Sequence, residues 1–178
     1  MSEWRHLIEK HQAALDSANH IFTWTAKDEL AWLAEEASRR MRILEIGTYL
    51  GHSAIVLARS TKGTVTCFDL CNDKGVPEQA AKNLAGEDNI RYNQRDAGVS
   101  AVREYIEGKM SFDMIWIDDG HAYQDVVRDI LSALLLRSPN AIICGHDYER
   151  PANDVARAVD DCFGVGNVKF GPGRIWYI

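Results

Sequence analysis

Short apolar runs alternate with amphipathic stretches along most of the chain. The runs at 41–46, 64–70, 90–94, 112–118, 141–145 and 174–178 have the length and composition of strands. The run at 112–118, FDMIWID, is apolar at consecutive positions. A central parallel strand, buried on both faces, requires that. Helical patterns at 53–59, 78–84, 97–107, 123–137 and 152–162 follow the first five strands in turn. In the fourth of these, Val126, Val127, Ile130, Leu134 and Leu135 recur at near-helical spacing. Strand–helix alternation of this kind predicts an α/β fold. Its doubly wound, mostly parallel sheet carries helices on both faces, joined by right-handed crossovers.

Residues 1–40 differ. They hold two helical patterns, at about 3–18 and 26–39, and no strand. Thr25, followed by Lys27, Asp28 and Glu29, reads as a helix cap with acids in the first turn. Leu30, Leu33, Ala34 and Ala37 form one apolar stripe. The expected organisation is a single domain, in which 1–40 form a helical cover or lid and 41–178 the α/β body.

Composition narrows the partners. A formal net charge of -6 over 178 residues argues against a general nucleic-acid or anionic-membrane binder. The apolar run at 130–136 is far too short to span a bilayer. The N-terminus has no apolar signal region. Cys67, Cys71, Cys144 and Cys162 form no CxxC pair and read as reduced, small apolar residues of a cytoplasmic protein.

The most informative stretch is Ile43-Leu44-Glu45-Ile46-Gly47-Thr48-Tyr49-Leu50-Gly51-His52-Ser53. A strand runs into a glycine turn, and a helix follows. Gly47 and Gly51 permit tight backbone geometry and close approach of a ligand. The helix N-terminus offers N–H groups to a carboxylate or phosphate. A dinucleotide site would show G-x-G-x-x-G, whereas this turn reads E-x-G-x-x-x-G. Glu45 before the glycine would repel a pyrophosphate and suits a cationic or hydroxyl-rich ligand. Asp69, at the end of the second strand, is placed to accept ribose hydroxyls. Asp96, at the end of the third, is placed near an adenine amino group.

These residues resemble the class I S-adenosylmethionine-dependent methyltransferases, over residues 25–178. EIGTYLGHSA is similar to the E-x-G-T-x-x-G-x-S form of small-molecule O-methyltransferases. The stretch 117–129, IDDGHAYQDVVRD, resembles the D-G-x-H-x-Y-x-x-V-x-x-D signature of a bacterial branch with macrocin-type and cephalosporin-tailoring enzymes. Gly145-His146-Asp147-Tyr148 resembles that branch's H-D pair after strand five. The resemblance implies a Rossmann-like sheet of seven strands, the last antiparallel, with a hairpin around Gly171-Pro172-Gly173. It implies S-adenosylmethionine held by Glu45, Gly47, Thr48, Tyr49, Gly51 and Ser53 on the first turn. Asp69 and Leu70, Asp96 and Ala97, and Asp118 follow at successive strand tips.

Methyl transfer leaves the protein two tasks, to position the acceptor and to take up its proton. The resemblance places a divalent-metal site, magnesium or a softer ion, on Asp118, His146 and Asp147. Two departures stand out. His146 occupies a position that is usually acidic, and the order Asp118-Asp119-Gly120-His121 replaces Asp-Gly-Asp-His. His121 is therefore an alternative base, with Asp118 and His146 as further catalytic candidates. A capping role for His121 and a cofactor contact for Asp118 stay open. Trp24 and Tyr49 are candidates to stack on a ligand, or to pack in the core. The expected partner is a small hydroxylated acceptor, with no nucleic acid and no membrane, and a homodimer left open. The rival readings are an NAD-type oxidoreductase and a non-catalytic S-adenosylmethionine-binding domain.

Overall fold

The computed structural model describes residues 4–71, 73–108, 110–149 and 151–178. Seven strands form one sheet: β1 (Arg42–Ile46), β2 (Thr64–Asp69), β3 (Ile90–Gln94), β4 (Phe112–Ile117), β5 (Arg137–Gly145), β6 (Lys169–Phe170) and β7 (Trp176–Tyr177). Their order is β3-β2-β1-β4-β5-β7-β6. The first five pair in parallel, and β7 runs antiparallel to both β5 and β6. The order reverses between β1 and β4. Ligands of open α/β sheets bind at such a switch point, beyond the C-terminal strand ends.

Eight α-helices are found among the described residues: α1 (Arg5–Lys10), α2 (Gln12–Ala18), α3 (Lys27–Ala37), α4 (His52–Ser60), α5 (Val76–Leu84), α6 (Ala97–Glu107), α7 (Tyr123–Leu136) and α8 (Asp154–Phe163). The side-chain alternation of the strands divides the core in two. Ile43, Met114, Trp116 and Cys144 face Leu33, Ile55 and Leu57. Leu44, Ile115, Ile117 and Ile143 face Ala101, Ile130 and Val159. Met114, Ile115 and Trp116 are fully buried, as the unbroken apolar run requires.

Three boundaries differ from the sequence pattern. The first helix breaks at His11 into α1 and α2, and its expected start at residue 3 lies outside the described residues. The N-cap of α3 is Ala26, not Thr25. Glu29 supplies the missing cap by accepting the Ala26 N–H through Oε2 at 2.7 Å. Strand β5 starts at Arg137, directly after α7, and shifts register before Ile142. Pro139 and Asn140, the latter at φ 63°, lie in that irregularity, so turn chemistry here makes a bulge and not a loop.

Helices α1–α3 are part of the main core, with Leu7, Leu15, Leu30 and Leu33 in one cluster with Ile43 and Trp116. Their polar hub is Glu35, which accepts from Lys10 (2.6 Å), His11 (2.7 Å) and Arg39 (2.5 Å). These partners, Lys10 foremost, hold its carboxyl down at about 2.

Candidate active site

The β1 turn is built from beneath by a buried acid. Glu45 is fully buried and accepts from Thr48 Oγ1 (2.9 Å) and Ser53 Oγ (2.7 Å), the two ends of the turn. Burial pushes its carboxyl up to about 7. The sequence reading turned Glu45 toward a ligand, and the structure corrects this. Glu45 shares the strand face of buried Ile43 and lies under α4, outside the cavity lining.

At Gly47 the expected tight backbone geometry is present, and its cause is the neighbouring strand tip. At φ 88°, a Cβ here would lie 2.2 Å from the carbonyl oxygen of Asp118 and 2.6 Å from the nitrogen of Asp119. The glycine lets the β1 turn cross the backbone at the tip of β4. We expect Gly47→Val to destabilise the fold by several kcal/mol, through overpacking of about 1–3 kcal/mol plus left-handed strain of about 1–2 kcal/mol. Urea unfolding measures this, and a wild-type midpoint would refute it. Gly51 is likewise structural. It sits at φ 90°, where a Cβ would meet Leu84 at 2.8 Å.

Above the turn lies a cavity of about 600 Å³. Gly47, Thr48, Tyr49 and Ser53 line one end with Asp69 and Leu70. Asp69 is 3% exposed. Its Oδ2 accepts the Thr48 N–H (2.8 Å) and the Tyr49 N–H (2.5 Å), and its Oδ1 accepts the Cys71 N–H (2.5 Å). A carboxylate has about four lone-pair sites, so one stays available to a hydroxyl. Three backbone donors fix where it points. The N-cap of α4, Gly51, makes no side-chain cap. The first-turn N–H groups therefore receive no acceptor from the cap residue.

Asp96 and Ala97 are placed elsewhere. Asp96 caps α6 by accepting the Val99 N–H at 3.0 Å, and Ala97 is buried. Arg128, 3.7 Å from Asp96, lines both the cavity and a neighbouring groove to which Asp96 belongs. Asp96 itself is not among the residues that line the cavity.

The other end of the cavity gathers the charged candidates. His121 Nε2 lies 2.6 Å from Asp147 Oδ2, and Arg174 Nη1 lies 2.6 Å from Asp147 Oδ1. His146 Nδ1 stands 3.4 Å from Asp147 and 3.7 Å from Asp118. Its Nε2 faces Glu29 Oε1 at 3.0 Å, off the line of a good hydrogen bond. Burial alone would lower the His146 pKa. Asp147, Glu29 and Asp118 override it and push the imidazole up to about 10. Burial raises Asp118 to about 6 against the pull of His146. Asp147 is held at about 2 despite its burial, by His146 and Arg174. Asp147 also adopts φ 59°, a strained conformation for a non-glycine residue.

Sequence reasoning missed Glu29 and Arg174. Glu29 looked like an ordinary first-turn acid. It is 2% exposed and joins three segments, through Ala26 N–H, Arg174 N–H (2.8 Å) and His146. The helical segment contributes more than a cover. Phe22, Thr23, Trp24 and Thr25 line the cavity, and His52 Nδ1 pins this loop through the Ile21 carbonyl at 2.8 Å. Trp24 is 68% exposed, so it is no core residue, and its ring lies 5.1 Å from that of Tyr49.

Comparison with known proteins agrees with this geometry. A family model described as a methyltransferase domain matches residues 44–148, more than half of the chain. The chain belongs to this methyltransferase-domain family. An O-methyltransferase from Bacillus cereus, solved with S-adenosylhomocysteine (SAH), shares the fold. Its TM-score is 0.71 at 19% identity, over 97% of this chain and 90% of that one. The SAH-bound methyltransferase PaMTH1 from Podospora anserina gives 0.66 at 18% identity, over 97% and 91%. TomG from Streptomyces achromogenes, an O-methyltransferase of tomaymycin synthesis solved with S-adenosylmethionine, gives 0.62 at 22%, over 99% and 88%. No curated protein matches the chain.

Proposed function

We propose that this methyltransferase moves a methyl group from S-adenosylmethionine to an oxygen of a small hydroxylated acceptor, with His121 as the base. One observation carries the reading. A single cavity joins the Asp69 end, suited to a nucleoside, to the His121–Asp147 pair. The bound structures of the similar proteins agree with that cofactor.

The cofactor supplies an activated sulfonium methyl, so the chain's own work is positioning and proton uptake. Asp69 accepts hydroxyl hydrogens at one end. The first turn of α4 receives a carboxylate. His121 takes the acceptor's proton, and Asp147, 2.6 Å from its Nε2, orients the ring. A cavity of about 600 Å³ suits small molecules. Carboxylates along its wall and a net charge of -6 disfavour a polyanion. Four free cysteines fit a reducing compartment, and we place the chain in the cytoplasm.

A divalent cation is the second reading. Asp118, His121 and Asp147 can bring three ligand atoms within 4.8 Å of one another. In this set His121 replaces His146, whose two ring nitrogens both face carboxylates and so favour the protonated, non-ligating form. Such an ion would lower the acceptor's pKa. We favour the metal-free base because Arg174 and His146 already stand against Asp147, and His146 against Asp118, where an ion would have to sit. Chelation decides. We expect EDTA to leave methyl transfer to hydroxylated acceptors unchanged. Suppression by EDTA, with recovery on added magnesium or manganese, would replace this reading by the second.

A further inference from the structure

The order Asp118-Asp119-Gly120-His121 puts an acid where the resembled signature has glycine. Methyl transfer, as derived above, gives Asp119 no task. Its side chain is partly buried and lines the cavity just beyond the tip of β4, where the turn at Gly47 crosses the backbone. Burial raises the carboxyls of Asp118 and Asp119 alike, but different charges surround them. Around Asp118 these are His146, Asp147 and His121, and around Asp119 they are Asp69, Arg128 and Asp125. The two consecutive acids therefore face opposite ends of the cavity, Asp118 the acceptor end and Asp119 the Asp69 end.

Asp119 forms no ion pair among the described residues. Arg128, the cation nearest to hand, is engaged by Asp125 (3.3 Å), Asp129 (3.4 Å) and Asp96 (3.7 Å). Two carboxylates at one end, with the neighbouring cation already taken, call for a ligand edge rich in N–H and O–H donors. Asp69 is placed for the ribose. Leu70, next along the chain and 44% exposed, offers an apolar surface to a flat ring.

We propose that Asp119 reads the base of the cofactor, its carboxylate accepting an N–H of the adenine 6-amino group. This is the task that the sequence suggested for Asp96, which caps α6 instead. The inference rests on the S-adenosylmethionine reading and adds to it a residue that determines specificity. A carboxylate at that edge favours adenine and opposes a base with oxygen at the same position, because two acceptors would then face each other.

Calorimetric titration of the full chain with SAH and with S-inosylhomocysteine, which carries oxygen in place of the 6-amino group, tests it. The wild type should prefer SAH by roughly 10–100-fold, the worth of a hydrogen bond to a charged group. Asp119→Ala should weaken SAH by about that factor, leave S-inosylhomocysteine nearly unchanged and so erase the preference. Asp119→Asn, whose amide can turn either its oxygen or its N–H to the base, should bind the two within a few fold of each other. Neither variant breaks an ion pair, so both should keep the melting curve of the ligand-free wild type. Equal weakening of both ligands in Asp119→Ala would mark a ribose contact or a general effect of charge. That outcome overturns the proposal and leaves the cofactor reading standing, as does a wild type that binds both ligands equally well. A wild type that binds neither removes the cofactor reading and this inference with it.

Discussion

Replacing Asp69 with alanine should abolish the thermal shift that SAH gives the wild type. A ligand at a hundredfold excess over its dissociation constant stabilises the native state by about 2.7 kcal/mol. For a chain of this size that is roughly 5–10 °C in Tm. The expectation rests on geometry. Asp69 is the acid at the tip of β2, nearly buried, aimed by three backbone N–H groups and lining the cavity. Alanine also strands those donors, at about 1–3 kcal/mol for each left unsatisfied. The variant will therefore melt lower without ligand, and the informative quantity is the difference between curves with and without SAH. Asp69→Asn keeps an acceptor oxygen and should retain more of the apo stability while still losing most of the shift. A wild-type curve unmoved by saturating SAH would sink the cofactor reading. An undiminished shift in Asp69→Ala would place the ligand elsewhere.

How much of this was legible in the sequence follows from the range of each interaction. The strands and their order of use were legible, because a parallel strand buried on two faces must be apolar at consecutive positions, as Met114, Ile115 and Trp116 are. Asp69 was legible because strand ends at a switch point converge. Glu45 was misread although the signal existed. Its two-residue spacing from Ile43 puts both on one strand face, beneath α4. Asp96 was read as a cofactor contact because it ends the third strand, whereas its side chain caps α6 and does not line the cavity. Glu29 and Arg174 lie 145 positions apart, and only the packing of α3 against the C-terminal hairpin brings them together. No periodicity or motif reports a contact of that separation. The shift from His146 to His121 has the same cause in part, since Glu29 joins Asp147 and Asp118 in making His146 a buried ion-pair partner.

That division of labour between the two histidines yields the other large effect. His121→Ala should lower kcat for methyl transfer by about 10²–10⁴-fold, the usual contribution of a positioned base. SAH affinity and the melting curve should hardly change. The His121 side chain is 63% exposed and lies against the oxygen of Asp147 that faces away from Arg174, so its loss leaves no buried charge alone. His121→Gln, which can still hydrogen-bond to Asp147, should be as slow as alanine, because an amide cannot take up the proton. His146→Ala should behave in the opposite way. His146 is 3% exposed in its side chain and sits among Glu29, Asp118 and Asp147. Removing one partner from a buried charge cluster costs about 3–5 kcal/mol, because the remaining carboxylates are left uncompensated. A large drop in the urea midpoint is therefore expected, with activity lost as the fold is lost. Paired measurements of kcat and of unfolding on the three variants separate the roles. If His121→Ala and His121→Gln keep activity within a few fold of wild type, the proton goes to another group, and Asp118, raised to about 6, is the next candidate.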